Sequence, residues 1–440
     1  VRESDLTRAG RASLPTSRRV RLGIAAVSGA VCLLAAACSG GNAGATHGAP
    51  QQDGAGSPAA AALPQVTITP ADGTRNAHPN RGISIAVAQG KITNVSVTTG
   101  HSQVSGALAA GATAWHTSWP LRTHAHYSVT VTAVNADGKT VTATSSFHTL
   151  GAASTFSATT LEGYHQTYGV GMPIVISFSQ PVTRKASVER AIEIKSSKPV
   201  VGAWMWNGSQ ELDFRTQSYW PQHTQVSFIA HFNGVEIAPG VYGTSNLSQS
   251  FSIGNSLIGV TSTRTHHTKI YWKNKLLGVW PDSSGQPGMD TANGTYLTIE
   301  KGNPVLMTGQ GYKNVPVYFS VRFTWSGNYY HDAPWSLGEQ GYVNVSHGCV
   351  NLSPEHSQWY YDRAVPGDPI TITGSPVSGQ WGDGYTEWFY TWKQLLHHSA
   401  THMAVQVGPT GSTFVDPATL PAPSRASWRT GSKPHNYLAS

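Results

Sequence analysis

The chain has 440 residues, and charged residues make up only 12% of it, while 14 tryptophans and 17 tyrosines supply ample apolar bulk. That length suits two to four domains, and the aromatic content excludes a disordered protein. The formal charge of +7 is inflated by six N-terminal arginines (2, 8, 11, 18, 19 and 21) that face only Glu3 and Asp5. The remainder is left at about +3, too weak and unclustered for a nucleic-acid partner, although a mildly basic exterior suits an anionic cell-wall polymer.

In chain order, Arg18-Arg19-Val20-Arg21 precedes an apolar run over 24–37. That run is too short to span a bilayer and reads as the core of an export signal. It closes on Leu33-Leu34-Ala35-Ala36-Ala37-Cys38-Ser39-Gly40, which resembles a bacterial lipobox, with Cys38 as the lipidation site. Ala35-Ala36-Ala37 equally satisfies an ordinary cleavage site. The expectation is a signal peptide over 1–37 and a lipid-anchored flexible linker over 38–63, rich in Gly, Ala, Ser and Gln. Such a linker reaches about 25–30 Å on average. The protein is expected at the outer face of the cytoplasmic membrane, in contact with the wall. Whether it leaves by the general or the twin-arginine route is open.

Abundant Thr, Val and aromatic residues favour strands. From 64 to 150, alternating runs such as Ile83-Ser84-Ile85-Ala86-Val87 and Tyr127-Ser128-Val129-Thr130-Val131 flank a turn at Asn135-Ala136-Asp137-Gly138. This predicts a small β-sandwich with Trp115, Leu121 and Tyr127 as core anchors. A second β unit is expected over 151–254, from Ile174-Val175-Ile176-Ser177-Phe178 and Val226-Ser227-Phe228-Ile229-Ala230. Its Trp204 and Trp206 are read as packing at a domain junction rather than as a glycan platform.

A third domain is expected over 255–374. It opens with a hairpin in which Asn274 turns between Lys269-Ile270-Tyr271-Trp272 and Leu276-Leu277-Gly278-Val279-Trp280. Its one clear helix runs over 353–365, with Ser353 as N-cap, Pro354 at the first helical position and Glu355 in the first turn. A C-terminal cap over 375–400 carries a short amphipathic helix at 386–398, expected to pack back onto the third domain. Residues 401–440, with many Pro and Ser and little periodicity, are expected to be extended or disordered.

Three cysteines are present: Cys32, Cys38 and Cys349. With Cys32 in the export signal and Cys38 lipidated, Cys349 is left without a disulfide partner outside the cytoplasm, which points to chemistry. A thiol of ordinary pKa is only a few per cent thiolate at neutral pH, so a nucleophile here needs a base. His331 lies 18 residues upstream and His347 two residues upstream, and by residue type either can serve. Gly348 lets a substrate carbonyl approach backbone N–H groups. A zinc site from His331, His347 and Cys349 lacks a fourth ligand at sensible spacing, and neither metal nor cofactor is expected.

The segment from His331 to Ser346-His347-Gly348-Cys349-Val350-Asn351 closely resembles the catalytic motif of the L,D-transpeptidase (YkuD-like) family. The resemblance extends to Thr291-Ala292-Asn293-Gly294-Thr295-Tyr296 upstream and to Ser353-Pro354 and Trp359-Tyr360-Tyr361-Asp362 downstream. Two immunoglobulin-like modules on a lipobox tether are similar to the actinobacterial, mycobacterial-type members. The implied fold is mainly β: two immunoglobulin-like sandwiches, a YkuD-like catalytic domain with a short helix, and a helical C-terminal cap.

The resemblance implies the following roles. Cys349 attacks the carbonyl of the third residue of a peptidoglycan stem tetrapeptide, releasing D-Ala and forming a thioester. His331 is the general base, oriented by the backbone carbonyl of Asp332. The Gly348 and Cys349 amides, His347 and Tyr312 (in a Gly-rich lid) stabilise the oxyanion. Ser326, Gly327, Ser346 and Asn351 bind substrate, and Trp335 shapes the wall. The acceptor is the side-chain amine of a neighbouring stem, giving a 3→3 cross-link, and a monomer acting on stem peptides is expected. Asp332 stands where relatives often carry Gly or Ser, and its carboxylate offers a triad reading. Adjacent residues of a strand point to opposite faces, which favours the carbonyl. L,D-carboxypeptidase action and a non-catalytic envelope scaffold are the competing functions. Sortase-like and papain-like readings fail on motif and on residue order.

Overall fold

The computed structural model describes residues 60–309 and 311–420. The export signal, Cys38, most of the linker and the tail beyond 420 lie outside them.

In the first sandwich, strands Gln65–Thr69, Ser84–Ala88, Ala114–Thr117 and Gly106–Leu108 form one sheet. Strands Lys91–Thr99, His126–Val134 and Thr140–His148, with the short Ser102–Gln103, form the other. Alternate residues face inward, so Ile85, Val97, Trp115, Tyr127, Val131 and Phe147 share one core, and Leu121 is buried with them. Asn135 closes the long hairpin by accepting from the Asp137 and Lys139 amides through Oδ1, at 3.1 and 2.9 Å. Its Nδ2 donates to the carbonyls of Ala61 and Ala62, so residues grouped with the linker by composition are already tied to the sandwich.

The second sandwich corrects the reading of the C-terminus. Its larger sheet runs Ala158–Thr160, Ile174–Phe178, Glu211–Thr216, Val200–Asn207, Ala404–Gly408 and Gly411–Val415. Residues 404–415, expected to be extended or disordered, are a hairpin that pairs with Val200–Asn207. The physical reason is an edge: that strand would otherwise leave its backbone groups unpaired. Val405 and Val407 add to a core containing Trp204, Trp206, Phe214 and Phe228. Both tryptophans are therefore interior residues of this sandwich.

The cap is corrected too. It divides into a 3-10 turn, Glu387–Phe389, and a helix, Trp392–His398, started by a Thr391–Gln394 capping box. Leu395 packs on Ala203 and Met205 of the second sandwich rather than on the third domain. Trp388 donates to the Gly171 carbonyl at 2.8 Å and lies 4.4 Å from the Arg215 guanidinium. Phe389 reaches the third domain, where it meets Tyr296.

In the third domain a five-stranded sheet is ordered Lys275–Pro281, His267–Trp272, Leu257–Ser262, Pro369–Thr373, Gly294–Leu297. Lys273 and Asn274, both at positive φ, make its tight turn. A four-stranded sheet is ordered Glu300–Gly302, Ser320–Arg322, Tyr329–Asp332, Val350–Leu352. Its last two strands are parallel, with Tyr330 opposite Val350 and His331 opposite Asn351. Parallel neighbours require a long crossover, and the segment that returns the chain carries the Ser346–Cys349 motif. Helix Pro354–Arg363, capped by the Ser353 side chain, covers this sheet through Tyr360, which packs on Tyr330. A separate hairpin, Val305–Gly309 with Tyr312–Val317, stands apart from both sheets as a flap.

Candidate active site

The parallel register places His331 and Asn351 side by side, and both line one cleft with Cys349. The cleft has a volume of about 310 Å3, and its roof is the inner face of the flap, Met307, Tyr312, Val315 and Val317. Trp335, 60% exposed, forms a wall and stacks on the His331 ring at 6.0 Å. His331 itself is buried.

His331 Nδ1 lies 2.8 Å from the Asp332 carbonyl oxygen. A carbonyl only accepts, so Nδ1 carries the hydrogen and Nε2 keeps a free lone pair. Burial pushes the ring's pKa down to about 4, against the opposing effect of that hydrogen bond. Burial also pushes the Cys349 thiol up to about 11. The resting pair is therefore a neutral thiol beside a neutral imidazole. The thiol donates to the Gly327 carbonyl at 3.7 Å.

The cysteine loop is held from several sides. Ser346 Oγ donates to the Cys349 carbonyl at 2.6 Å and accepts from the Gly348 amide at 3.1 Å. The Gly348 carbonyl accepts from Thr291 Oγ1 at 2.8 Å and from Asn328 Nδ2 at 2.5 Å. Gly348 sits at φ +119°, and a Cβ there would lie 2.8 Å from Asn328 Nδ2. This position requires glycine.

The remaining expected residues divide by position. His347 is exposed at the cleft mouth, 5.1 Å from the Tyr312 ring. Asn351 donates to Ser336 Oγ at 3.0 Å. Ser326 is outside the lining of this cleft and is bound to Asp383 through both its amide and its hydroxyl. The Gly348 amide, expected to face an oxyanion, is engaged by Ser346. Sequence reasoning gave no role to Thr291, Asn328 or Asp383. Thr291 lies in a motif already noted, but nothing in the spacing of the other two points to this loop.

Family models match in two places: a bacterial Ig domain over residues 74–236 and an L,D-transpeptidase catalytic domain over residues 257–372. The chain is 30% identical to L,D-transpeptidase 5 of Mycobacterium tuberculosis over 77% of each sequence. It is 36% identical to L,D-transpeptidase 1 of that organism over 47% of this chain and 80% of the relative. A crystal structure of an L,D-transpeptidase from M. tuberculosis H37Rv aligns at 32% identity over 49% of this chain and 96% of its own, with a TM-score of 0.41.

Proposed function

The chain belongs to the L,D-transpeptidase family, and from that premise we propose that it cross-links peptidoglycan stem peptides through a Cys349 thioester. The observation that carries this reading is the single cleft shared by Cys349 and a His331 ring whose Nδ1 is occupied by the Asp332 carbonyl.

In the proposed cycle, His331 Nε2 takes the thiol proton as sulfur attacks the carbonyl of the third stem residue. The imidazolium then protonates the departing amine of D-Ala, the C–N bond breaks, and a thioester remains. The acceptor amine enters next and gives its proton to Nε2. The C–S bond breaks as the new amide forms, and the proton returns to sulfur. The Cys349 amide, the Tyr312 hydroxyl and His347 are the proposed oxyanion donors. The Gly348 amide serves only if it exchanges Ser346 Oγ for the oxyanion. Trp335, Asn351 and the apolar flap are assigned to the donor stem; Ser326 and Gly327, outside the cleft lining, are not. The 3→3 linkage, the lipid anchor at Cys38 and residence at the outer membrane face belong to the same proposal.

Incubation with tetrapeptide-bearing muropeptides, read by mass, tests it. A cross-linked dimer with release of D-Ala is the expected product. Tripeptide monomer alone would indicate carboxypeptidase action, and unchanged substrate a scaffold.

A further inference from the structure

The C-terminal cap meets the loop that precedes Asn328 through a carboxylate. Asp383 Oδ1 accepts from the Ser326 amide at 2.7 Å, and Oδ2 accepts from the Ser326 hydroxyl at 2.6 Å. Both are bonds to a carboxylate and so belong to the stronger class of hydrogen bond. The next residue, Gly327, supplies the carbonyl that receives the Cys349 thiol hydrogen. Asn328, one residue further, holds the Gly348 carbonyl.

The Ser326–Gly327 turn is otherwise held by short-range bonds: the Gly327 amide donates to the Thr324 carbonyl at 3.3 Å, and Ser326 Oγ lies 3.1 Å from Thr324 Oγ1 and 3.4 Å from Asn328 Oδ1. Ser326 is exposed, and Gly327 stands at φ +104° with nothing within 4 Å of where a Cβ would lie. The peptide that carries the Gly327 carbonyl is held on its other side by the Asn328 amide, which donates to Thr324 Oγ1 at 2.8 Å. A glycine tolerates more backbone adjustment than other residues, so loss of the Asp383 bonds would let the accepting carbonyl shift relative to sulfur. Asp383 is itself well anchored. The Asp383 amide donates to Gln380, the Gly382 amide donates to the Thr386 hydroxyl, and Gly384 packs against the Phe323 carbonyl. Two residues beyond Thr386, Trp388 is fixed to the second sandwich through Gly171 and Arg215.

We propose that Asp383 is a positioning residue for the nucleophile: its carboxylate clamps the Ser326–Gly327 turn so that the Gly327 carbonyl selects the orientation of the Cys349 thiol. The cap and, through Trp388, the second sandwich thereby become part of the support of the reacting sulfur. This rests on the reading of Cys349 as the nucleophile.

The test uses the whole protein and follows the Cys349 peptide by mass spectrometry. Two rates are measured: acylation by a carbapenem, which demands an aligned sulfur, and alkylation by iodoacetamide, which does not. Asp383→Ala should slow acylation about tenfold or more at an unchanged half-saturating concentration. Alkylation should stay within about twofold and the melting temperature within about 2 °C. Asp383→Asn, which keeps the acceptor for the Ser326 amide, should recover part of the loss. Asp383→Ala combined with Ser326→Ala should cost less than the sum of the two single losses, because the two share one contact. Wild-type acylation rates in Asp383→Ala would overturn the proposal. So would a loss accompanied by fast alkylation and a lowered melting temperature, which marks a merely structural residue. No adduct on Cys349 of the wild-type protein would instead sink the underlying assignment of the nucleophile.

Discussion

His331 is oriented by the main chain of Asp332, not by its carboxylate. Nδ1 meets the carbonyl oxygen at 2.8 Å, while Asp332 Oδ1 is buried without a hydrogen-bond partner. Asp332→Ala should therefore keep acylation within about threefold of wild type, since no partner is lost and an unsatisfied group is removed. His331→Ala should lose roughly 10²–10⁴-fold. Comparable losses in the two variants, measured as rates of adduct formation on Cys349, would restore the triad reading.

The neutral resting pair sets a pH profile. With the ring's pKa depressed to about 4 and the thiol's raised to about 11, neither group changes charge near neutrality. Acylation should be flat from roughly pH 5 to 9 and fall on the acid side as Nε2 becomes protonated. Iodoacetamide should modify Cys349 more slowly at pH 7 than it modifies free cysteine. A bell centred near neutrality, or fast alkylation there, would indicate a preformed thiolate–imidazolium pair.

Gly348→Ala places a Cβ 2.8 Å from Asn328 Nδ2 at a φ of +119°. The backbone strain costs on the order of 1–3 kcal/mol, and the displaced Asn328 releases the Gly348 carbonyl. A lower melting temperature together with loss of acylation is the expected result. Gly111→Ala is the control, at φ +83° with open space around it in the first sandwich. It should carry a similar local strain and leave acylation unchanged.

A buried acidic group lies where the second sandwich meets the cap. Burial raises the carboxyls of Glu162 and Glu387 each to about 7 and that of Asp213 well above the usual range, and burial lowers Arg215 to about 10. Because these acids are protonated more readily in the folded chain, their stabilisation is complete below an ordinary glutamate pKa. It is lost as pH rises toward about 7. The melting temperature should fall between about pH 4.5 and 7, each glutamate contributing on the order of 3 kcal/mol. Glu387→Gln should flatten the slope, and an unaltered slope would show that these groups do not control it.

Much of the candidate site was legible because its pattern is local. The Ser346–Asn351 run, the histidine 18 residues upstream of Cys349 and the Ser353-Pro354 helix start are short-range patterns. So is the alternation that marks the strands of the first sandwich. The C-terminal hairpin was missed although Val405-Gln406-Val407 and Thr413-Phe414-Val415 alternate. Its five-residue strands are too short to signal by themselves, and their partner, Val200–Asn207, lies some 200 residues away. The cap helix was misplaced for a related reason: an amphipathic stripe says that a face is buried, not against what.

By itself, the sequence determined the residue types at the candidate site, the β-rich class and the glycine at 348, because each follows from side-chain chemistry and local backbone preference. Only the tertiary structure decided that His331 shares a buried wall with Asn351 while His347 stands exposed at the mouth. It alone decided that Ser346 occupies the Gly348 amide, and that Asp383 reaches Ser326 from a distant loop. Those outcomes depend on strand pairing and on packing between separated segments. A hydrogen bond between residues 57 positions apart leaves no periodic trace in the chain that makes it.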